Sequence, residues 1–196
     1  MPLSLNVAPE AFLFLPPTTV LSIFTFIFVT PNTNTMSDVL FPEPTPLNDV
    51  AEFHATFHLP ILETPTIPGD DRCQLRVNLL QEELDELKEA IRDKDITAVA
   101  DALSDLQYVL SGAILEFGLG NKFKDLFEEV QRSNMSKVCE DYATAEETLD
   151  FYMAKDGTRG FIHESHSGFL VYRESDRKVL KSVKYSPADL EKILSE

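Results

Sequence analysis

The sequence contains no tryptophan and only two cysteines, Cys73 and Cys139, among its 196 residues. Two cysteines cannot build a disulfide scaffold, and they suit a reducing compartment. Because the sequence has no Cys-x-x-Cys pair, we do not expect a cysteine-based zinc site. The chain must therefore rely on a hydrophobic core, for which its 43% hydrophobic residues are sufficient.

Positive charge is also scarce. Lys and Arg total 17 against 33 Asp and Glu, which gives a formal net charge of -16. Such a balance argues against a general nucleic-acid binder and against attachment to an anionic membrane surface. It leaves open the binding of a nucleotide, because carboxylates bind phosphates through a divalent cation.

The first 35 residues contain a single charged residue, Glu10, and residues 11–29 are uncharged. That stretch is long enough to suggest a membrane span or a signal peptide, but a proline pair interrupts it and no basic residue precedes it. We therefore expect residues 1–47 to be a disordered extension ending in a proline-rich linker, with Met36 as the natural start of a cytoplasmic protein. An organellar or membrane-targeting role of this extension is the alternative.

Hydrophobic periodicity predicts four helices in the middle of the chain, three of them joined by short turns and packed antiparallel. The second and third helices each carry an apolar stripe that we expect to form the core. The predicted helices span 49–58 (capped by Asn48), 70–92, 97–117 (ended by Gly118 and Gly120) and 121–137. The stripes are Leu80, Leu84, Leu87 and Ile91, then Val99, Leu103, Leu106, Leu110 and Ala113.

After Cys139 the pattern changes to short mixed elements. We expect a helix over 143–153, strands over 161–163 and 169–173 with a possible third at 179–180, and a last helix from Ser186 to Leu194. The predicted fold is therefore an all-α antiparallel helical bundle over residues 48–139, with a small C-terminal α/β hairpin extension over residues 140–196.

Helical geometry predicts that several acidic side chains of the second and third helices do not point into open solvent. Glu83 and Glu86 border the leucine stripe of their helix, with Glu82 about 40° further round. Asp101 and Asp105 are four residues apart and share a stripe with small and aromatic residues.

These acids also lack the usual lysine partners at i+4, and Glu82 has Glu86 there instead. Antiparallel packing can bring the carboxylates of both helices together, and a hard divalent cation would then balance them. An ordinary solvated acidic face remains the alternative.

The string RVNLLQEELDELKEAIRDKDITAVADALSDLQYVLSGAILEFGL, residues 76–119, resembles the MazG-like all-α nucleoside triphosphate pyrophosphohydrolases, which include phosphoribosyl-ATP pyrophosphohydrolase. The mark of that superfamily is a Glu-Glu-x-x-Glu segment on one helix and an acidic pair on the next. The resemblance extends to DVAEFHATFHLP, LFEEVQRSNMSKV and VYRESDRKVLKSVKYSPADL, but not to residues 140–168, which look like an insertion. One departure is Ala102, where many members have Glu and where Asp101 stands one residue earlier.

The resemblance implies Mg2+-dependent hydrolysis of a nucleoside triphosphate to the monophosphate and pyrophosphate, with Mn2+ as a possible substitute. It implies that Glu83, Glu86, Asp101 and Asp105 bind the metal. Glu82 is then the candidate to orient or deprotonate the attacking water, and we count Glu82 and Glu83 as the catalytic residues. No covalent nucleophile is needed.

The candidate nucleotide contacts are Asn134 and Lys137, in the family-like run RSNMSK, and Lys181, in the one basic stretch of the acidic chain. The alternative is that Asn134 and Lys137 simply form a polar helix end and that Lys181 pairs with acidic residues of the protein. His54 lies in the family-like EFH run and is a candidate pocket residue. Zinc sites use the spacing between His54 and His58 and also that between His163 and His166. The sequence offers no further support for zinc.

The function predicted from the sequence is that of a nucleotide pyrophosphohydrolase, assembled as a dimer or tetramer because the superfamily builds its sites on helices that pack across subunits. The expected partners are a nucleotide substrate and a second copy of the chain, with no nucleic acid and no membrane unless residues 11–29 insert. Two alternatives remain: a narrow house-cleaning enzyme for dUTP or dCTP, and a catalytically silent helical protein whose acidic face binds a metal or a basic partner.

Overall fold

The computed structural model describes residues 41–196. Most of the extension predicted over residues 1–47, with residues 11–29 and Met36, therefore lies outside the described residues and stays a prediction. Within residues 41–196, no helix is both long and apolar enough to cross a membrane. The elements there are α1 Pro46–Thr56, α2 Asp70–Asp93, α3 Ile96–Glu116, α4 Phe123–Met135, α5 Tyr142–Asp156, β1 Gly160–Ser165, β2 Gly168–Arg173 and α6 Leu190–Ser195.

A two-residue turn joins α2 to α3 and makes them antiparallel. Lys94 adopts a left-handed conformation with φ of 57°, and Asp95 caps α3 by accepting hydrogen bonds from the backbone N–H of Thr97 and Ala98 at 2.9 and 3.1 Å. At the other end of α3, Gly118 has φ of 69°, and a Cβ there would lie 1.9 Å from the carbonyl oxygen of Thr64. Only glycine fits this position.

The mostly helical fold with a small C-terminal sheet is confirmed, but the leucine stripes do not form a closed core in one chain. Helix α3 packs against both α1 and α2, and it presents Ala102, Ser111 and Gly112 to its neighbours, all buried. Leu103 and Ile91, expected in the core, are 51% and 59% exposed. The expectation was wrong because the carboxylate stripe of α3, and not its leucine stripe, faces α2.

Helix α4 packs against the C-terminal segment, and the expected antiparallel packing along α3 is not found. The backbone N–H of Asp189 donates to Glu129 at 2.8 Å, and Lys122 Nζ donates to the carbonyl oxygen of Ile193 at 2.8 Å.

Two predicted helix starts were also wrong. Helix α6 begins at Leu190 with an Asp189 cap rather than at Ser186, and α1 begins at Pro46 rather than after Asn48.

Residues 140–168, which looked like an insertion, contribute α5 and β1 to a small second core. Strands β1 and β2 form an antiparallel hairpin with Phe161 opposite Tyr172. The expected third strand at 179–180 is a single bridge between Tyr172 and Val179. The buried residues of this core are Cys139, Ala145, Val171 and Leu180.

A buried ion cluster joins α2 to the end of α3. The side chain of Glu116 is 1% exposed and bonds to both Arg72 and Arg76, with Arg72 Nε donating at 3.1 Å. Burial by itself raises the pKa of the Glu116 carboxyl, but the hydrogen bonds from Arg76 and Arg72 outweigh it, and the pKa is lowered. The charged form of Glu116 is therefore the stabilising one in the folded protein.

We expect Glu116→Gln to lower the free energy of unfolding at pH 7 by about 3 kcal/mol or more, because it leaves Arg76 buried without its counter-charge. The folded pKa of Glu116 is depressed, so its contribution is complete above the ordinary glutamate pKa of about 4.3 and is lost as the pH falls through the folded value. The difference between the variant and the unmodified protein should therefore shrink in acid.

Denaturant unfolding followed by circular dichroism at pH 7 and pH 3 measures both effects. Glu52→Gln, at an exposed position of α1, is the control and should change stability by less than about 0.5 kcal/mol. A stability difference for Glu116→Gln that is absent at pH 7, or that stays constant down to pH 3, would contradict this assignment.

Candidate functional site

The antiparallel packing of α2 and α3 sets the register in which their acidic side chains meet. At one end Arg76 lies opposite Gly112, where an added Cβ would come within 2.6 Å of Arg76 Nη1. Seven residues further along α2 is Glu83, and seven residues back along α3 is Asp105. The same register that places Arg76 at Gly112 therefore brings Glu83 toward Asp105.

The pKa of Glu83 shows that the acidic groups act on one another. It is raised, first by burial of the half-buried carboxyl and then by the negative charge of Asp105, followed by Glu86, Glu82 and Asp101. Each of the four other carboxylates named from the sequence thus contributes to the field at Glu83. Glu83 is the half-buried member of this group, and Glu82, Glu86, Asp101 and Asp105 are exposed.

No protein cation balances this group within the described residues. None of the five carboxylates has a hydrogen bond or ion pair there, whereas neighbouring acids on α2 do. Asp85 accepts from Lys88 at 2.8 Å and from Gln81 at 2.9 Å, and Glu89 pairs with Arg92 at 2.6 Å. The basic residues of α2 are therefore paired outside the five-carboxylate group.

The donor set fits a hard divalent cation, because it consists of carboxylate oxygens alone. As the side chains stand in residues 41–196, however, no three His, Cys, Asp or Glu residues form a group that could hold a metal ion. The two acids of α3 affect Glu83 unequally. Among the neighbouring charges that raise the pKa of Glu83, Asp105 has the largest effect and Asp101 the smallest. Ala102, the position at which many members of the resembled superfamily carry Glu, is 2% exposed.

A cavity of about 280 Å³ lies between α1, α2 and α3, one helical turn from the carboxylates. Leu79 lines it and Glu83 follows four residues later, and Tyr108 lines it three residues after Asp105. The lining residues are Val50, Phe53, His54, Leu59, Arg72, Leu75, Arg76, Leu79, Tyr108, Val109 and Gly112. The cavity and the carboxylates are therefore neighbours along α2 and α3, although none of the five carboxylates lines the cavity.

His54, the candidate pocket residue, lines this cavity and has both ring nitrogens engaged. Its Nδ1 is 2.8 Å from the carbonyl oxygen of Pro60, and its Nε2 is 3.3 Å from Arg76 Nη2. A carbonyl can only accept and a guanidinium can only donate, so these partners assign the neutral tautomer with the proton on Nδ1. Sequence reasoning named His54 but missed Arg76 and its partner Glu116, which the string gave no reason to associate.

The three candidate nucleotide contacts lie together around a residue that sequence reasoning missed, Tyr185. Lys137 Nζ donates to Asn134 Oδ1 at 2.8 Å, and Lys181 Nζ lies 4.2 Å from the Tyr185 ring centroid. The hydrogen bond with Ser133, at 3.0 Å, is the largest cause of a lowered Tyr185 pKa, and the charges of Lys181 and Lys137 add to it. The sequence feature that could have identified Tyr185 is its position in the run VKYSP, beside Lys184.

This basic cluster and the five carboxylates are separate within the described part of one chain. No hydrogen bond or ion pair there joins the two groups, since α4 and its neighbours pack against the C-terminal segment. Arg173, at the end of β2, forms a local ion pair with Asp176 at 2.7 Å.

Comparison with known proteins finds a family model that matches the segment containing the candidate site. Residues 50–134 match the family model of phosphoribosyl-ATP pyrophosphohydrolase, PRA-PH, and this segment spans α1 to α4 with all five carboxylates, the cavity and Asn134. A search of curated proteins finds no match to the chain. The helical segment is therefore similar to the PRA-PH family, which is part of the MazG-like superfamily of nucleoside triphosphate pyrophosphohydrolases, hydrolases of acid anhydrides.

Proposed function

We propose that the protein hydrolyses a nucleoside triphosphate, or a related nucleotide, to the monophosphate and pyrophosphate in a Mg2+-dependent reaction. The observation that carries this proposal is the group of five carboxylates without a protein cation, beside a cavity that can receive the rest of a nucleotide. Mn2+ could replace Mg2+, because both are bound by oxygen ligands.

Glu83, Glu86, Asp101 and Asp105 are the residues that would hold Mg2+. When bound, the cation would neutralise the phosphate charge and lower the pKa of a bound water. Glu82 is exposed and adjacent to Glu83, and its carboxylate is the group that would orient the attacking water and accept its proton. Glu83 combines metal binding with the catalytic role, because it is the half-buried carboxyl of the group and the other four charges act on it.

Asn134, Lys137 and Lys181 would contact the phosphates or the base of the nucleotide. Their grouping around Tyr185 supports a joint role, because the two lysines provide positive charge in an otherwise acidic protein. Since this cluster and the carboxylates are separate within one chain, we propose that the lysines of one copy act beside the carboxylates of another.

A homodimer or larger homo-oligomer is the assembly that this arrangement requires. The outer stripes of α2 and α3 leave Leu84, Ile91, Leu103 and Leu110 exposed, and such contiguous apolar surface marks an interface. The only charged residues of α3 are Asp101, Asp105 and Glu116, and none belongs to its leucine stripe. Two copies of an acidic chain can therefore meet along this stripe without bringing like charges together.

Turnover across a panel of nucleoside triphosphates, measured as released pyrophosphate with and without Mg2+, tests the proposed reaction. Glu86→Gln and Asp105→Asn should each lower kcat/KM by about a thousandfold or more, because metal-based charge stabilisation contributes several kcal/mol. Glu89→Gln, on the same helix but paired with Arg92, is the matched control and should retain full activity. A silent metal- or partner-binding protein would hydrolyse no nucleotide, and a dUTP- or dCTP-directed enzyme only one of the panel.

Thermal unfolding with and without Mg2+ tests the metal site independently of turnover. A Mg2+ concentration a hundredfold above Kd should stabilise the protein by about 2.7 kcal/mol, or roughly 5–10 °C in Tm. Asp105→Asn should raise the metal-free Tm slightly, because it removes a repulsive charge, and should reduce the Mg2+-induced increase. If Mg2+ leaves the Tm of the unmodified protein unchanged, the proposed metal site is wrong.

Leu103→Glu should break the assembly, because it places a charge on the apolar stripe of α3. Light scattering coupled to size-exclusion chromatography should show an oligomer for the unmodified protein and a smaller species for the variant. Met153→Glu, an exposed apolar residue on α5, is the control and should leave the mass unchanged. A monomeric unmodified protein would contradict the proposed assembly.

A further inference from the structure

We propose that Tyr185 is a positioning residue of the proposed reaction, because its ring holds the ammonium group of Lys181 beside the last turn of α4 for contact with the phosphates of the substrate. This inference rests on the proposed function, since it concerns a lysine that is assigned there to the nucleotide. Three observations carry it: the contact between the Lys181 ammonium and the Tyr185 ring, the anchoring of that ring on α4, and the fixed backbone of residues 180–186.

The ammonium group of Lys181 lies over the ring of Tyr185, with Nζ 4.2 Å from the ring centroid. This distance is well inside the limit of about 6 Å within which the face of an aromatic ring attracts a cation. Lys181 is exposed, and no carboxylate within residues 41–196 forms an ion pair with it. Its charge is therefore directed by an uncharged ring and remains available to an anionic ligand.

Restriction of the lysine side chain favours the binding of phosphate. A free lysine is a flexible point charge, and ordering it on a ligand costs conformational entropy. A lysine that already lies on a ring loses less freedom when it binds. Lys137, the other lysine of the cluster, is restricted in a comparable way, because its Nζ donates to Asn134 Oδ1 at 2.8 Å.

The ring of Tyr185 is anchored on α4 by its hydroxyl group. The Tyr185 hydroxyl lies 3.0 Å from Ser133 Oγ, and Ser133 is only 4% exposed. This hydrogen bond, together with the charges of Lys181 and Lys137, lowers the pKa of the Tyr185 hydroxyl. The ring is therefore fixed next to Asn134, and both lysines of the cluster act on it.

Other elements hold the backbone of residues 180–186 at three points. The hydrogen bonds run from Leu180 N–H to the carbonyl oxygen of Val171 at 2.8 Å, from Val183 N–H to Thr148 Oγ1 at 3.1 Å, and from Ser186 N–H to Ser136 Oγ at 3.0 Å. The acceptors belong to β2, α5 and the C-cap of α4. Because Thr148 lies within residues 140–168, the region that looked like an insertion helps to fix the segment that carries Lys181 and Tyr185.

Binding of inorganic tripolyphosphate to the full chain, measured by calorimetry without metal and at low ionic strength, tests the inference apart from catalysis. This probe provides the phosphates without a base, and without metal the carboxylates repel it, so binding reports on the lysines. Lys181→Ala should weaken binding about tenfold, because it removes a charged donor. Tyr185→Met, which keeps an apolar side chain but removes the ring, should weaken binding about fivefold.

Two further variants serve as comparisons. Tyr185→Phe keeps the ring and should bind tripolyphosphate within about twofold of the unmodified protein. Tyr142→Met replaces an exposed tyrosine on α5 and should bind as the unmodified protein does. Equal losses for Tyr185→Phe and Tyr185→Met would show that the ring is not the group that acts, and would overturn the inference.

A double-mutant cycle separates a positioning role from a merely structural one. If Tyr185 acts through Lys181, Tyr185→Met should weaken binding by less than about twofold in the Lys181→Ala background. A structural role would give the same loss in both backgrounds, and this result would overturn the inference. Binding that Tyr185→Met leaves unchanged, or an unmodified protein that does not bind tripolyphosphate, would also overturn it.

Nuclear magnetic resonance of the unmodified protein decides the matter if Tyr185→Met does not fold. The ε-methylene protons of Lys181 should be shifted upfield by the ring of Tyr185, and tripolyphosphate should change the chemical shifts of both side chains. Lys181 protons at the position typical of a solvated lysine, or shifts that tripolyphosphate does not alter, would contradict the inference.

Failure of the inference is distinguishable from failure of the proposed function. Hydrolysis of triphosphates by Tyr185→Met with an unchanged KM would overturn the role of Tyr185 alone. Coupling between Tyr185 and Lys181 in tripolyphosphate binding, in a protein that hydrolyses no triphosphate, would support the role of Tyr185 and contradict the proposed reaction.

Discussion

Repulsion among the carboxylates between α2 and α3 is the constraint around which the rest of the structure is arranged. The pKa of Glu83 is raised by its burial and by four neighbouring negative charges, and no basic residue in the described part of the chain pairs with any of them. A divalent cation from outside the chain would compensate this charge, and we propose that Mg2+ does so. The nearby Asp85 and Glu89 form ion pairs with Lys88 and Arg92. The lack of basic partners is therefore specific to the five carboxylates and not a general property of α2.

The fold holds this repulsive group in place through a second, oppositely balanced cluster on the same helices. Two arginines of α2 surround Glu116 of α3, and His54 on α1 contacts one of those arginines. This cluster ties the helices together at one end, while the five carboxylates lie toward the other. The cavity lies between the two groups, with Arg76 and Leu79 among its lining residues.

The sequence predicted what depends on local spacing. Periodicity and Gly118 identified α2 and α3 within about one residue, and the acidic stripes identified Glu83 and the four carboxylates whose charges raise its pKa. It did not predict contacts that depend on distant parts of the chain. The Arg76–Glu116 bond joins residues 40 positions apart, and Tyr185 meets Ser133 across 52. Leu103 was misassigned because an amphipathic pattern does not say which face of a helix packs against its neighbours in the chain.

The central claim is that Glu83, Glu86 and Asp105 bind one divalent cation. A crystal structure of the protein soaked in Mn2+, with anomalous diffraction recorded for manganese, tests it most directly. The account predicts an anomalous peak within about 2.0–2.3 Å of oxygens from these three side chains. An anomalous map without a peak between α2 and α3 at saturating Mn2+, with the three carboxylates turned into solvent, would contradict it.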